Sequence, residues 1–308
     1  MRFMFVALLW LIALGTVGVT SAETPDELAV TRLTKQCQKG NAKSCSNLGY
    51  AYAKGEGVKR DFFKAVELSR KACDGKNAGG CYNLGVMYSD GTGVTQDHVK
   101  AVELYRKACD GQYAQGCSNL GYAYLEGEGV KRDSFKAVEL YRKACDGKNA
   151  GGCSNLGTMY AEGEGVRQDK FKAVEFYQKA CDGQDAGGCS NLGTMYDQGE
   201  GVAQDKFKAV ELYQKACDGQ IAEACFNLGA MYKNGTGVAQ DKFKAVELYQ
   251  KACDGKNATG CSNLGWMYEQ GEGVRKSVED ALTFYGRGCD LKSEVGCEFY
   301  SRLKAGKK

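Results

Sequence analysis

Sixteen cysteines are the residues with the most chemistry to offer in this 308-residue sequence, and their spacing restricts what they can do. They fall in pairs eight residues apart: Cys37 and Cys45, Cys73 and Cys81, Cys109 and Cys117, Cys145 and Cys153, Cys181 and Cys189, Cys217 and Cys225, Cys253 and Cys261, Cys289 and Cys297. A zinc site would call for Cys-x-x-Cys spacing or added histidines, and His98 is the single histidine. Thioredoxin-like redox chemistry also needs Cys-x-x-Cys, which does not occur. An even count at regular local spacing, behind an export signal, reads instead as eight local disulfides: Cys37-Cys45, Cys73-Cys81, Cys109-Cys117, Cys145-Cys153, Cys181-Cys189, Cys217-Cys225, Cys253-Cys261 and Cys289-Cys297. Each closes a small loop worth about 2.5 kcal/mol by the chain-entropy relation. No motif for a metal or a cofactor is found, and His98, beside a position that is phenylalanine in sister repeats, reads as solvent-facing.

The second set of residues could bind. Asn47, Asn83, Asn119, Asn155, Asn191, Asn227 and Asn263 recur at one position of the repeat. An amide donates and accepts, so such a ladder can hold the main chain of an extended peptide without reading its sequence. Equally, each asparagine could bond to a neighbouring helix or turn and only fix the stacking. Three residues further on the same face stand Tyr50, Val86, Tyr122, Thr158, Thr194, Ala230 and Trp266, where variety on a repeated frame suggests local specificity. Tyr52, Tyr88, Tyr124, Tyr160, Tyr196, Tyr232 and Tyr268 read as packing residues whose hydroxyls reach the rim.

The elements that must position these residues follow from a 36-residue period, the signature of a solenoid. In the first unit, helix A is expected over Ala42 to Lys54, with Cys45, Leu48, Gly49 and Tyr52 on one face. Gly55-Glu56-Gly57-Val58 ends it, the glycines supplying positive φ. Asp61 caps helix B, and Asp97, Asp133, Asp169, Asp205 and Asp241 repeat that signal; Ser277, three residues before Asp280, replaces it in the seventh unit. Helix B carries apolar Phe63, Val66, Leu68 and Ala72, a Glu67–Lys71 surface pair, and a stop at Asp74-Gly75.

Arg2, the apolar run from Phe3 to Val19 and small residues before Glu23 read as a signal peptide over 1-22, cleaved after Ala22. Residues 23-40 form an N-terminal capping helix. Seven repeats follow over 41-292 (41-76, 77-112, 113-148, 149-184, 185-220, 221-256 and 257-292). Residues 293-308 hold a C-terminal capping helix, read as Cys297 to Leu303, and a basic tail. A net charge of +3, spread as alternating Lys and Glu, gives no phosphate-tracking stripe and excludes nucleic acid as the expected partner.

The pattern Cys-x-Asn-Leu-Gly-x-Met-Tyr-x-x-Gly-x-Gly-Val, then Asp-x-x-Lys-Ala-Val-Glu-Leu-Tyr-x-Lys-Ala-Cys-Asp, resembles the Sel-like (SLR) branch of the tetratricopeptide superfamily, and its paired cysteines resemble those of the Helicobacter cysteine-rich secreted proteins. The resemblance covers about residues 26 to 303. It implies an all-α fold, a right-handed α/α superhelix of disulfide-bridged helix pairs, exported and open to a host protein as partner. It also implies a β-lactamase or penicillin-binding activity, with a β-lactam or peptidoglycan-derived ligand, because the family carries that label. A serine enzyme of that kind needs Ser-x-x-Lys, Ser-Asp-Asn and Lys-Thr-Gly. Ser301-Arg302-Leu303-Lys304 alone matches, in the basic tail, and the other motifs are missing. The expectation is therefore a secreted or periplasmic monomer, free of the membrane once its signal is cleaved, that binds an extended peptide or protein segment along the A helices.

Overall fold

Why the chain breaks into short helices is visible at their ends. In the computed structural model, which describes residues 24–306, Asn77, Asn149 and Asn257 each accept a hydrogen bond from a first-turn amide at 2.6–2.8 Å, starting an A helix. Asp97, Asp133, Asp169, Asp205 and Asp241 do the same for B helices at 2.9–3.1 Å. Ser277 caps the seventh B helix through the Asp280 amide. Each A helix stops at a left-handed glycine such as Gly55, φ 80°. The expected signal segment, 1–22, lies outside the described residues.

These signals give sixteen helices and no strand among the described residues. The first eight are α1 (Pro25–Gln38), α2 (Ala42–Lys54), α3 (Phe62–Asp74), α4 (Ala78–Asp90), α5 (His98–Asp110), α6 (Ala114–Glu126), α7 (Ser134–Asp146) and α8 (Ala150–Glu162). The rest are α9 (Lys170–Asp182), α10 (Ala186–Gln198), α11 (Lys206–Asp218), α12 (Ala222–Asn234), α13 (Lys242–Asp254), α14 (Ala258–Gln270), α15 (Val278–Asp290) and α16 (Glu294–Ala305). Even-numbered helices from α2 to α14 are the A helices and odd-numbered ones from α3 to α15 the B helices. The C-terminal cap α16 begins three residues before Cys297, because Ser293 caps it by accepting from the Gly296 amide.

Two interfaces alternate along the array. The larger lies within a repeat, where the A helix packs against its own B helix; the smaller joins a B helix to the next A helix. All eight disulfides, with Cα–Cα separations of 4.4–4.7 Å, close the smaller one. No cysteine is free. Apolar stitching runs through both: the A-helix leucines 48, 84, 120, 156, 192, 228 and 264 are buried, each worth about 1.5–3 kcal/mol of transfer free energy.

Curvature follows from unequal spacing. Neighbouring A helices touch, as α2 with α4, α6 with α8, α8 with α10 and α12 with α14 do, whereas no two B helices make comparable contact. The A row is therefore the inner, concave one. Glycine sets the approach of one repeat to the next: a methyl on Gly93, φ 71°, would stand 2.7 Å from the carbonyl oxygen of Phe62 in the preceding repeat.

The expected stop at Asp74-Gly75 is where α3 ends: Gly75 is its C-cap with φ −77°, and Lys76 after it takes φ 61°, with Gln112 and Lys148 at 61° and 62° in their repeats. Gly75 is needed for space, since a methyl there would lie 2.7 Å from Ala42 Cβ. Phe63, by contrast, does not join Val66, Leu68 and Ala72 in the core. It is 79% exposed, on the solvent face of α3 with Glu67 one turn on, and Phe135, Phe171, Phe207 and Phe243 are similarly exposed.

Candidate functional site

The inner face is built from the A-helix positions that point away from the B helices. Six of the asparagines, Asn83, Asn119, Asn155, Asn191, Asn227 and Asn263, are half-buried there, and Asn47 at the open N-terminal end is exposed. Among the described residues Asn83 alone completes a side-chain hydrogen bond, donating to Ser46 Oγ of the preceding repeat at 3.4 Å. Asn119, Asn227 and Asn263 point at the hydroxyls of Tyr105, Tyr213 and Tyr249 without reaching full hydrogen-bond geometry. Asn47, Asn155 and Asn191 are left without a side-chain partner among the described residues.

The varied row beside it divides. Thr158 and Thr194 are committed to the fold, each sharing a hydrogen bond of 3.1 Å with the hydroxyl of Tyr177 or Tyr213. Tyr50 and Tyr122 are about half exposed. Trp266 carries the Lys233 ammonium over its ring at 3.8 Å, and burial holds that ammonium's pKa below the usual lysine range.

The tyrosines at the A-helix ends tie repeat to repeat at the rim. Arg70, Arg106 and Arg142 of one repeat donate to the hydroxyls of Tyr88, Tyr124 and Tyr160 in the next at 2.8–3.1 Å. Lysines cover the opposite side of this row, with Lys64 Nζ 4.5 Å from the Tyr52 ring centre and Lys208 Nζ 4.2 Å from that of Tyr196.

A further tyrosine row, not singled out by sequence, does the central packing. Tyr105, Tyr141, Tyr177, Tyr213, Tyr249 and Tyr285 of the B helices lie against Gly85, Gly121, Gly157, Gly193, Gly229 and Gly265 of their own A helices. Burial raises the pKa of all six phenols, with Tyr213 and Tyr249 pushed up to about 12. The usable signal was the shared period of the glycine in Asn-Leu-Gly and the tyrosine in Glu-Leu-Tyr.

The candidate serine chemistry does not assemble. Ser301 is exposed on α16, and the Lys304 ammonium turns to the Tyr300 hydroxyl at 3.5 Å. His98, the first residue of α5, is part-exposed, with Nδ1 3.9 Å from a Glu128 carboxylate oxygen. Among the described residues no group of three or more His, Cys, Asp or Glu could hold a metal ion, and no helix is long and apolar enough to cross a membrane.

Helical hairpins stacked with an open amide-lined inner face define an α/α solenoid, a scaffold class whose working surface is the groove. Residues 42–77, 78–113, 114–149, 150–185, 186–220, 222–257 and 258–293 each match the Sel1 repeat, and the chain belongs to the Sel1 repeat family. Sel1 repeat proteins are scaffolds that generally bind other proteins. Among solved structures, the chain is similar to a protective antigen of uropathogenic Escherichia coli with an SLR fold: 31% identity, TM-score 0.76, 89% of this chain and 59% of that one. The chain thus spans about three fifths of that antigen. It is also similar to a Sel1 repeat protein from Oxalobacter formigenes, at 26% identity and TM-score 0.70 over 79% of this chain and 96% of that one. Helicobacter pylori cysteine rich protein B shares 33% identity over 42% of this chain and 94% of its own, with a TM-score of 0.36. No match is found among curated proteins. Eight disulfides point to an oxidising environment outside the cytoplasm.

Proposed function

We propose that this protein is exported by cleavage of residues 1–22 and holds an extended peptide or protein segment along its concave A-helix face, in the periplasm or outside the cell. What carries this reading is the asparagine row: seven amides at one position of successive inner helices, of which Asn83 bonds to Ser46, three turn to tyrosine hydroxyls, and Asn47, Asn155 and Asn191 have no side-chain partner among the described residues. A row that served stacking alone would be expected to bond across every junction. Amides left open in a regularly spaced row suit the main-chain groups of a partner lying along the groove. The likeness to a protective antigen adds a host-exposed setting, and with it a host protein, as the context in which such a groove would act.

The test is photo-crosslinking by the full chain in its exporting cell. A benzophenone amino acid replaces Tyr122, on the inner face, or Phe171, 73% exposed on a B helix. The reading predicts adducts from position 122 that disappear when Asn119→Ala and Asn155→Ala are combined, with the melting temperature retained. Adducts confined to position 171, or adducts at 122 that ignore the asparagines, would overturn it.

A further inference from the structure

The inner face departs from the repeat pattern at two places, at Phe226 and the non-capping Ile221 of α12 and, with carboxylates beside it, at Tyr82 of α4 and Tyr113 before α6. Tyr82 stands where five sister repeats carry Ser46, Ser118, Ser154, Ser190 and Ser262. Tyr113 stands at the N-cap of α6, where α2, α4, α8, α10 and α14 have a capping Asn or Asp, and it makes no capping bond. The two rings pack on each other with centres 5.2 Å apart. Helices α4 and α6, like α10 and α12, are not among the A helices in close contact.

Beside this ring pair lies a cavity of about 340 Å³, walled by Tyr82, Tyr105 and Tyr122, with Asn119 at its side and the carboxylates of Asp90 and Glu128 on its lining. No lysine or arginine lines it. Its charge is also left open by a second departure from the pattern. Loop glutamates in later repeats are paired by a cation from the repeat before: Glu164 by Arg132 at 2.6 Å, Glu200 by Lys170 at 2.8 Å and Glu272 by Lys242 at 3.1 Å. At the corresponding place Glu128 meets only His98, at 3.9 Å. Asp90 has no cation within ion-pair distance among the described residues.

We infer that this cavity takes a lysine side chain of the segment held in the groove, the ammonium lying between tyrosine rings and the two carboxylates. The inference rests on the groove reading above and fixes its register. A compact cation is the group that both features recognise, since ring faces and carboxylates each attract it. Asn119, at the wall, is then placed to meet the main chain beside that lysine.

Two capped pentapeptides test this, acetyl-Ala-Ala-Lys-Ala-Ala-amide and its norleucine counterpart, titrated against the disulfide-intact mature chain by nuclear magnetic resonance. The lysine peptide is expected to bind about tenfold more tightly, with shifts centred on Tyr82, Tyr122 and Asn119. Asp90→Asn, at an exposed position, and Tyr82→Ser, which installs the residue of the sister repeats, should each remove that preference while the melt is kept. Equal binding of the two peptides, or a lysine preference that survives both variants, overturns the inference. Equal binding that still depends on Asn119 would leave the groove reading standing, whereas no saturable binding of either peptide would remove both.

Discussion

Gly157 and Tyr177 occupy one another's space: a methyl on the glycine would stand 2.7 Å from Cδ1 of the tyrosine ring, which is itself buried. Helix α8 can therefore rest on α9 only because the side chain is absent. Gly157→Ala is expected to lower stability by about 1–3 kcal/mol, the usual cost of overpacking. Gly151→Ala, one and a half turns earlier, meets only Asn149 Oδ1 at 3.7 Å and should leave stability level or raise it by about 0.5 kcal/mol. Thermal melts of the two variants check the contrast, and equal effects would deny that the tyrosine is what the glycine makes room for.

In the first repeat the corresponding tyrosine is replaced by Ser69, whose hydroxyl is fully buried and finds no hydrogen-bond partner. An unpaired buried donor costs about 1–3 kcal/mol. Ser69→Ala should thus stabilise the chain, by about 1 kcal/mol, as read from denaturant midpoints at an unchanged slope. A loss of stability would mean the hydroxyl is bonded after all.

Alkaline pH should loosen the array before it touches the disulfides. Burial pushes the Tyr213 and Tyr249 phenols up to about 12 from an ordinary value of 10.0. A phenol raised in the folded state contributes stability that is fully present below pH 10.0 and is lost as pH rises towards about 12. Rapid unfolding measurements across that window should show a fall of about 2 kcal/mol per tyrosine, and Tyr249→Phe should shrink it. A flat profile would contradict the burial of these rings.

Much of this architecture was legible because it is local. Asp97 and Ser277 announce helix starts by accepting from an amide three residues on, and Gly55 announces a stop through its own φ, so neighbours in sequence are enough. What was not legible depends on contacts between elements. Phe63 is apolar yet faces water, because the phase of α3 is fixed by Leu68 and Ala72 packing on α2 and Val66 on α4. Gly75 is the helix stop its sequence announced, but that it also makes room for Ala42 is visible only in the folded chain. The asparagine row could be found from its period, but whether its amides are satisfied is a matter of Ser46 and the Tyr105 row, which only the folded chain brings near.

Reduction should expose the unequal interfaces. The disulfides close the smaller junction, from each B helix to the next A helix, at about 2.5 kcal/mol apiece for loops of this size. Reductant is expected to lower the melting temperature sharply and to let hydrogen exchange rise first at junctions such as Cys145–Cys153, ahead of the larger α8–α9 interface. Uniform exchange with an unchanged melt would make the bridges incidental to the fold.

Architecture, compartment and role all lean on covalent closure between neighbouring repeats. Peptide mapping by mass spectrometry, without reduction, of protein recovered after export measures it directly. The account predicts eight bridges, each between cysteines eight apart from Cys37–Cys45 to Cys289–Cys297, and no free thiol. Free thiols, bound metal or bridges joining other pairs would contradict it.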